Sequence, residues 1–501
     1  MEAHLNLDAL LEVFCRTDMS TQSQIMKTCR VLYREGGKQL VRRNVVSLRT
    51  EAQLASFLLF MRADGLSRMP YIRALTVGSK GHKSSQAIEW LVELFAELVA
   101  CASGLQKLSY HCVHKNPAMD GRLAAHIASM TTLTVLSVSR MDRPTWAILQ
   151  HMRSRLTTAQ FEFADEEFDD SVPPSDHVDL VHLLEGSRTT LESLTVHGSH
   201  FNVITTITGP AYPRMVELDL NLETLWTPVA SHYMQTFPNL RFLRIEDSDV
   251  SMDGRPAVGS PQCAALRASN RSYQQEYGSW RLLDLFAGQA QHLYPLGLTC
   301  RIEHLILYDS DTSDEEVDAT ILRAMLSDAR PTRLDLICSF TVTTFMKEDW
   351  VAALIEARTP QIKHLTIKID IILGDVDDKM ERAIDVMYGI VASLSGLTAF
   401  HLDISRCFYR PGDPWDTYGH TMDVYAVANR FMEASPSMIA ALVTLHYPPR
   451  PSVHARAGCP DACNRFFGFE ADDAGPRSDD DGSESSEDDS EHSASEGDAE
   501  G

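Results

Sequence analysis

The sequence predicts an α/β chain built in three parts: a short module of three helices, a curved solenoid of strand-then-helix repeats, and a disordered acidic tail. Three observations carry this. Apolar residues at helical spacing fill residues 5 to 37, a six-residue apolar pattern recurs from about residue 70 to 445, and large apolar side chains end near residue 470. The boundaries that follow are 1–45, 46–450 and 451–501.

The first part reads LNLDALLEVFCRTDMSTQSQIMKTCRVLYREGG. Leu7, Leu10, Leu11 and Phe14 fall at i, i+3, i+4 and i+7, one apolar helix face. Thr21 with Gln24 fits a capping box and starts a second helix, whose inner side is Ile25, Met26, Cys29, Leu32 and Tyr33. Gly36 and Gly37 are expected to stop it, and KQLVRRNVVSL begins the next segment.

The second part is a pattern of apolar, two variable, apolar, one variable, apolar. It reads IRALTV at Ile72, LQKLSY at Leu105, LTVLSV at Leu133, LESLTV at Leu191, MVELDL at Met215 and LRFLRI at Leu240. It returns as IEHLIL at Ile302, PTRLDL at Pro331, IKHLTI at Ile362 and LTAFHL at Leu397, with weaker copies at Leu156 and Ile439. Its central apolar residue falls at Leu75, Leu108, Leu136, Ala159, Leu194, Leu218, Leu243, Leu305, Leu334, Leu365, Phe400 and Leu442. Steps between them run from 23 to 42 residues, with one jump of 62 that marks an eroded copy or an inserted loop over 246–279. Helical segments lie between copies: 87–105, with Glu89, Glu93 and Glu97 in one stripe, then 145–156, 177–186, 280–288 and 378–394. A strand buries its apolar side only when a helix covers it and the next coil stacks on it, so the period itself predicts a solenoid. This pattern resembles the leucine-rich repeat in an irregular form. Where the regular repeat has Asn or Cys in the turn, Met141 and Ser199 stand here.

The third part opens with a Pro-rich linker, YPPRPSVHARAGCP. From Glu470 onward there are 14 Asp or Glu and one Arg, so this stretch supplies -13 of the chain's net charge of -24. It cannot bury enough apolar surface to offset its ordering entropy. Ser478, Ser485, Ser486 and Ser493 each precede an acid by three residues, a setting that suits acid-directed kinases.

The net charge argues against nucleic-acid and anionic-membrane partners, which need a basic face. Ten cysteines scattered through apolar segments read as reduced core thiols. MEAHLNLD has no secretory n-region or h-region, so a cytoplasmic or nuclear protein is expected. The chain lacks GxxxxGK, GxSxG and HExxH, so no enzyme, cofactor or metal site is predicted. His446, His454, Cys459 and Cys463 lack paired ligand spacing and are taken as linker. YDSDTSDEE has no glycine at its sixth position and reads as a helix start at Ser313 and Glu316 rather than a calcium loop.

The opening module resembles an F-box, which docks substrate receptors onto the adaptor of SCF-type ubiquitin ligases. Leu5, Asp8, Leu10, Val13, Phe14, Cys29 and Arg30 match that family's pattern, while Asn6 replaces its proline and Leu32 stands where tryptophan is common. The order of F-box then irregular leucine-rich repeats is similar to large fungal F-box proteins. The resemblance implies adaptor contact through Leu5, Leu7, Leu10, Val13 and Phe14, with Cys29 and Leu32 in the closing helix. It further implies cullin as an assembly partner and a client protein on the repeats. A repeat scaffold with no ligase role is the alternative.

Overall fold

A computed structural model describes residues 6–78, 84–101, 104–111, 117–141, 146–163, 178–198, 201–202, 211–221, 229–246, 258–308, 318–338, 348–356, 361–371, 377–406, 422–446 and 452–467. Helices α1 (Leu7–Arg16), α2 (Met19–Met26) and α3 (Arg30–Arg43) come first, followed by β1 (Val45–Leu48) and α4 (Glu51–Arg62). The other strands are β2 (Ala74–Val77), β3 (Lys107–His111), β4 (Val135–Met141), β5 (Thr158–Phe163), β6 (Val178–Asp179), β7 (Ser193–His197), β8 (Phe201–Asn202) and β9 (Glu217–Asn221). They continue as β10 (Phe242–Glu246), β11 (Leu282–Gln289), β12 (Arg301–Tyr308), β13 (Arg333–Cys338), β14 (His364–Ile371), β15 (Ala399–Arg406), β16 (Ala440–Leu445) and β17 (Val453–Gly458).

Fifteen of these strands form one sheet in chain order; the two short ones, β6 and β8, pair with each other. Every neighbour in the long sheet is parallel except β16 with β17. Parallel neighbours need a crossover, and helices supply most of them. This is a long parallel sheet of stacked strand-and-helix units, consistent with a leucine-rich-repeat solenoid.

Eleven of the twelve predicted repeat positions line up, and Phe286 fills the gap between Leu243 and Leu305. Leu75, Leu108, Leu136, Ala159, Leu194, Leu218, Leu243, Phe286, Leu305, Leu334, Leu365 and Phe400 lie side by side across twelve strands. Each is at most 1% exposed. Burying a leucine- or phenylalanine-sized side chain contributes about 1.5–3 kcal/mol, so the ladder is a substantial part of the core's stabilisation. Threonines tie neighbouring coils: Thr132, Thr190 and Thr332 donate their hydroxyls to the carbonyls of Leu105, Leu156 and Glu303 at 2.7, 2.7 and 3.0 Å. The carboxylate stripe on the Ser85–Ala100 helix works the same way. Glu93 and Glu97 meet Arg62 of α4, and Glu89 meets Arg122 on the other side. These exposed pairs add about 0–1 kcal/mol each, less than the buried Leu91, Leu94, Phe95 and Leu98 beneath them.

Several expectations are corrected. Of the two alternatives for the jump of 62, the eroded copy is the one present: β11 runs over 282–289, where a helix is expected, and Ser260 caps a helix over Pro261–Tyr277 within 246–279. The third apolar position of that strand is Gly288, where a Cβ would sit 2.7 Å from the Ile245 carbonyl oxygen. Too little room remains there for the leucine that would have marked the copy. β1 is a further copy, read only as the start of a segment. The last copy is off by one residue. Phe400 pairs with Ala441, and Leu442 stands beside His401 on the opposite side of the sheet. Residues 453–458, read as linker, form β17 against β16 and lead into a helix over Pro460–Phe467.

The start of the chain also differs. Asp18 rather than Thr21 caps α2, accepting from the Thr21 amide at 2.9 Å. Gly36 and Gly37 do not stop a helix but lie buried inside α3. A Cβ on Gly36 would come within 3.2 Å of Phe14 and Met26, and one on Gly37 within 2.7 Å of Arg68. The glycines are there for close packing, not for a turn. The helix expected over 378–394 is present as Asp377–Ser393. The helix start expected at Ser313 and Glu316 lies outside the described residues, and Asp318 caps the helix that follows.

Candidate interaction surfaces

The α1–α3 module packs on the first edge of the sheet. Asn6 caps α1 by accepting from the Asp8 amide at 3.0 Å. Phe14 and Leu32 are 1% and 4% exposed and belong to the module's core. Leu10 is half-buried, while Leu7 and Val13 are 37% and 54% exposed. Cys29 is exposed and caps α3, its sulfur 3.5 Å from the Leu32 amide. Leu5 and the four tail serines, Ser478, Ser485, Ser486 and Ser493, lie outside the described residues. Met19 and Val31 add exposed apolar surface nearby in the chain.

Arg68, fully buried, joins the module to the first repeat. Its guanidinium donates to the Tyr33 and Phe60 carbonyls and stacks on both rings, 4.5 and 4.1 Å from their centroids. Beside it a cleft of about 620 Å³ opens between α2, α3, β1 and α4, walled by Met26, Tyr33, Leu40, Val46, Phe57 and Phe60.

The larger surface is the face of the sheet away from the helices. Side chains alternate across a strand, so residues between the buried ladder positions point to that open face. One row there reads Ser47, Thr76, Ser109, Ser137, Gln160 and Thr195 from β1 to β7, hydroxyls and an amide without charge. From β9 the same row changes to Asp219, Arg244, Ala287, Ile306, Asp335, Thr366 and His401. This row is uncharged in its first half and charged in its second, while Lys107 and Glu162 place charge elsewhere on the first half of the face.

Arg244 lies 3.4 Å from Asp219, whose carboxyl burial nevertheless holds above the usual range. Asp335 is the anchor of the charged half, with His304 Nε2 at 2.7 Å and Arg333 Nη2 at 3.1 Å. Burial pushes its carboxyl up, but the hydrogen bond from His304 and the Arg333 charge outweigh that and hold it low. His446 Nε2 lies 3.0 Å from Asp403, and His401 and His454 share the Thr444 hydroxyl at 3.1 and 3.2 Å. Burial holds His364, His401 and His454 below the ordinary imidazole range.

The Pro460–Phe467 helix folds back across this end of the open face. The Phe466 ring sits 4.5 Å from His364, and the Phe467 ring 5.6 Å from His401. All six residues of β16 are buried in consequence, since the Val424–Ala434 helix covers the other side.

Of these residues only His446 and His454 stand out in the sequence, where they read as linker. The signal was present, because His304, His364 and His401 sit inside the quoted copies IEHLIL, IKHLTI and LTAFHL, at the positions that alternation turns outward. What was missing was register, which decides that Asp335 meets His304 and that His401 meets Thr444. Among the described residues no group of three or more His, Cys, Asp or Glu is placed to hold a metal. No described helix is long and apolar enough to cross a membrane.

No family model matches the chain. No curated protein matches it either. Among solved structures, the chain is similar to the leucine-rich repeat-containing protein LegL7 from Legionella pneumophila, at 12% identity and a TM-score of 0.31, over 82% of this chain and 93% of that one. A protein from Bacteroides fragilis aligns at 11% identity and a TM-score of 0.23, over 73% of this chain and 75% of that one.

Proposed function

We infer that the chain is a non-catalytic protein-interaction scaffold whose open sheet face holds a client protein. One observation carries this reading: thirteen of the fifteen strands contribute to one row on the open face of the sheet, neutral and polar over β1–β7 and mixed with charged groups over β9–β15. Such a row offers many weak, geometrically fixed contacts, which suits recognition of an extended protein surface.

The finer reading makes the chain the substrate receptor of an SCF-type ubiquitin ligase, in the cytoplasm or nucleus. The α1–α3 module would dock the adaptor, and through it the cullin. Supporting it are the F-box-like residues of that module and the exposure of Leu7 and Val13 at the free end of the array. The burial of Phe14 and Leu32 favours the scaffold-only alternative, because two residues of the resembled contact set are spent on the module's own core. Co-purification of the full chain with excess adaptor and cullin separates the two. Retention of both on the tagged chain supports the receptor; a chain that retains neither is a scaffold without a ligase role.

A further inference from the structure

The Pro460–Phe467 helix is placed unlike the other helices that contact the long sheet. Those cover the apolar side of the strands, whereas this one lies on the open side, where its rings meet His364 and His401. The quality of those contacts is also different. Phe400 and Phe431 form a ring pair at 4.6 Å inside the core, and both are fully buried. Phe466 and Phe467 pair with their histidines at 4.5 and 5.6 Å yet are only half-buried. Their outer edges remain wet. A group seated this way, at the rim of a surface and one helix away from the last strand, can leave without opening the core.

The seat itself is prepared for rings. His364 and His401 stand on adjacent strands β14 and β15, and His401 is oriented by the Thr444 hydroxyl. Beneath the helix, Leu442 faces the open side beside His401 and is fully buried, an apolar floor that its register would otherwise leave in water. Flat imidazoles, a leucine floor and wet edges describe a shallow aromatic-binding site.

We propose that His364, His401 and Leu442 form a docking site for a partner helix carrying two adjacent aromatic residues, and that the chain's own Pro460–Phe467 helix is its resident, displaceable occupant. The partner class follows from the occupant, since the helix that fits is shown with both rings seated. The site rests on the interaction reading of the open face but not on adaptor docking, which uses the opposite end of the sheet. A tethered occupant competes at high effective concentration, so the site is closed until the helix lifts.

The test uses the full chain and a fluorescein-labelled peptide of residues 460–469, read by fluorescence anisotropy. The peptide is expected to bind Phe466→Ala/Phe467→Ala at least about tenfold tighter than wild type, because the internal competitor is weakened. Adding His364→Ala and His401→Ala is expected to remove that gain. Circular dichroism on each preparation checks that the array is folded. Hydrogen exchange on wild type gives a second, independent reading: residues 460–467 are expected to exchange well before β14–β16. Equal peptide binding by wild type and the double variant, no binding by either, or exchange of 460–467 only with the whole array overturns the proposal. A concentration-dependent dimer of the double variant in sedimentation would give the site to a second copy of the chain and overturn it likewise. Adaptor co-purification is measured on the same variants, so a failure of ligase docking is seen separately.

Discussion

The Phe14 ring packs against Gly36, so close that a Cβ on the glycine would come within 3.2 Å of it. One residue before it, Val13 is more than half exposed. Two neighbours that match the same motif therefore do different jobs: one closes the module and one faces outward.

Phe14→Ala is expected to cost about 3–5 kcal/mol, the range for deleting a large core ring, and to loosen the α1–α3 module. Val13→Asp and Leu7→Asp are expected to change stability by less than about 0.5 kcal/mol. If the receptor reading holds, the aspartates abolish adaptor capture while chemical denaturation is unmoved. Capture by Val13→Asp/Leu7→Asp at the wild-type level would remove α1 from the docking surface.

Leu218 is fully buried in the ladder, while Glu217 beside it is exposed. Leu218→Ala is expected to cost about 2–5 kcal/mol by transfer and cavity terms. Glu217→Ala should cost less than about 0.5 kcal/mol. Urea titration of both variants checks the register, and equal effects would contradict it.

Gly288 marks the repeat that its own smallness conceals. Gly288→Val forces a side chain toward the Ile245 carbonyl, and the strand must shift or strain. A loss of about 1–3 kcal/mol is expected, as for overpacking elsewhere in cores. Thermal unfolding measures it; an unchanged midpoint would mean that β11 is looser than the ladder implies.

Acid should loosen the Pro460–Phe467 helix. Burial lowers His364 and His401, with the Arg333 charge adding to the effect at His364 and Asp335 and Asp403 opposing it. Both folded values lie below the unfolded reference of 6.5, so between them the unfolded state binds more protons. Stability from these sites is complete above about pH 6.5, declines as pH falls through the folded values, and then levels off. Asp335 is lowered too, but its contribution persists until pH drops below about 3.8, outside this window. Exchange protection at 460–467, corrected for intrinsic rates, is expected to fall as pH drops below about 6.5. His364→Gln/His401→Gln should flatten that change, and a pH-independent wild type would contradict the assignment.

Much of the fold was legible. Eleven of the twelve repeat positions read from the apolar spacing occupy the buried ladder, because a strand with one covered face must place leucine-like residues at a fixed alternation. Helix Leu7–Arg16 followed from its apolar face, and Asp377–Ser393 from its helical character, for the same kind of reason. The misses at three glycines share one cause. Gly36, Gly37 and Gly288 look like breaks in sequence, yet each is small to admit a neighbour distant in the chain.

The sequence by itself determined the class of the chain: strand and helix in alternation, a core face of fixed period, and an acidic composition hostile to polyanions. Tertiary structure alone decided which outward residues meet. Asp335 is held by His304 of the preceding strand, Leu442 turns to the open side by a shift of one residue, and Phe466 reaches back to His364. Local periodicity is written in neighbouring residues and can be read from them. A surface is assembled from residues on different coils, and only the stacking of those coils sets their register.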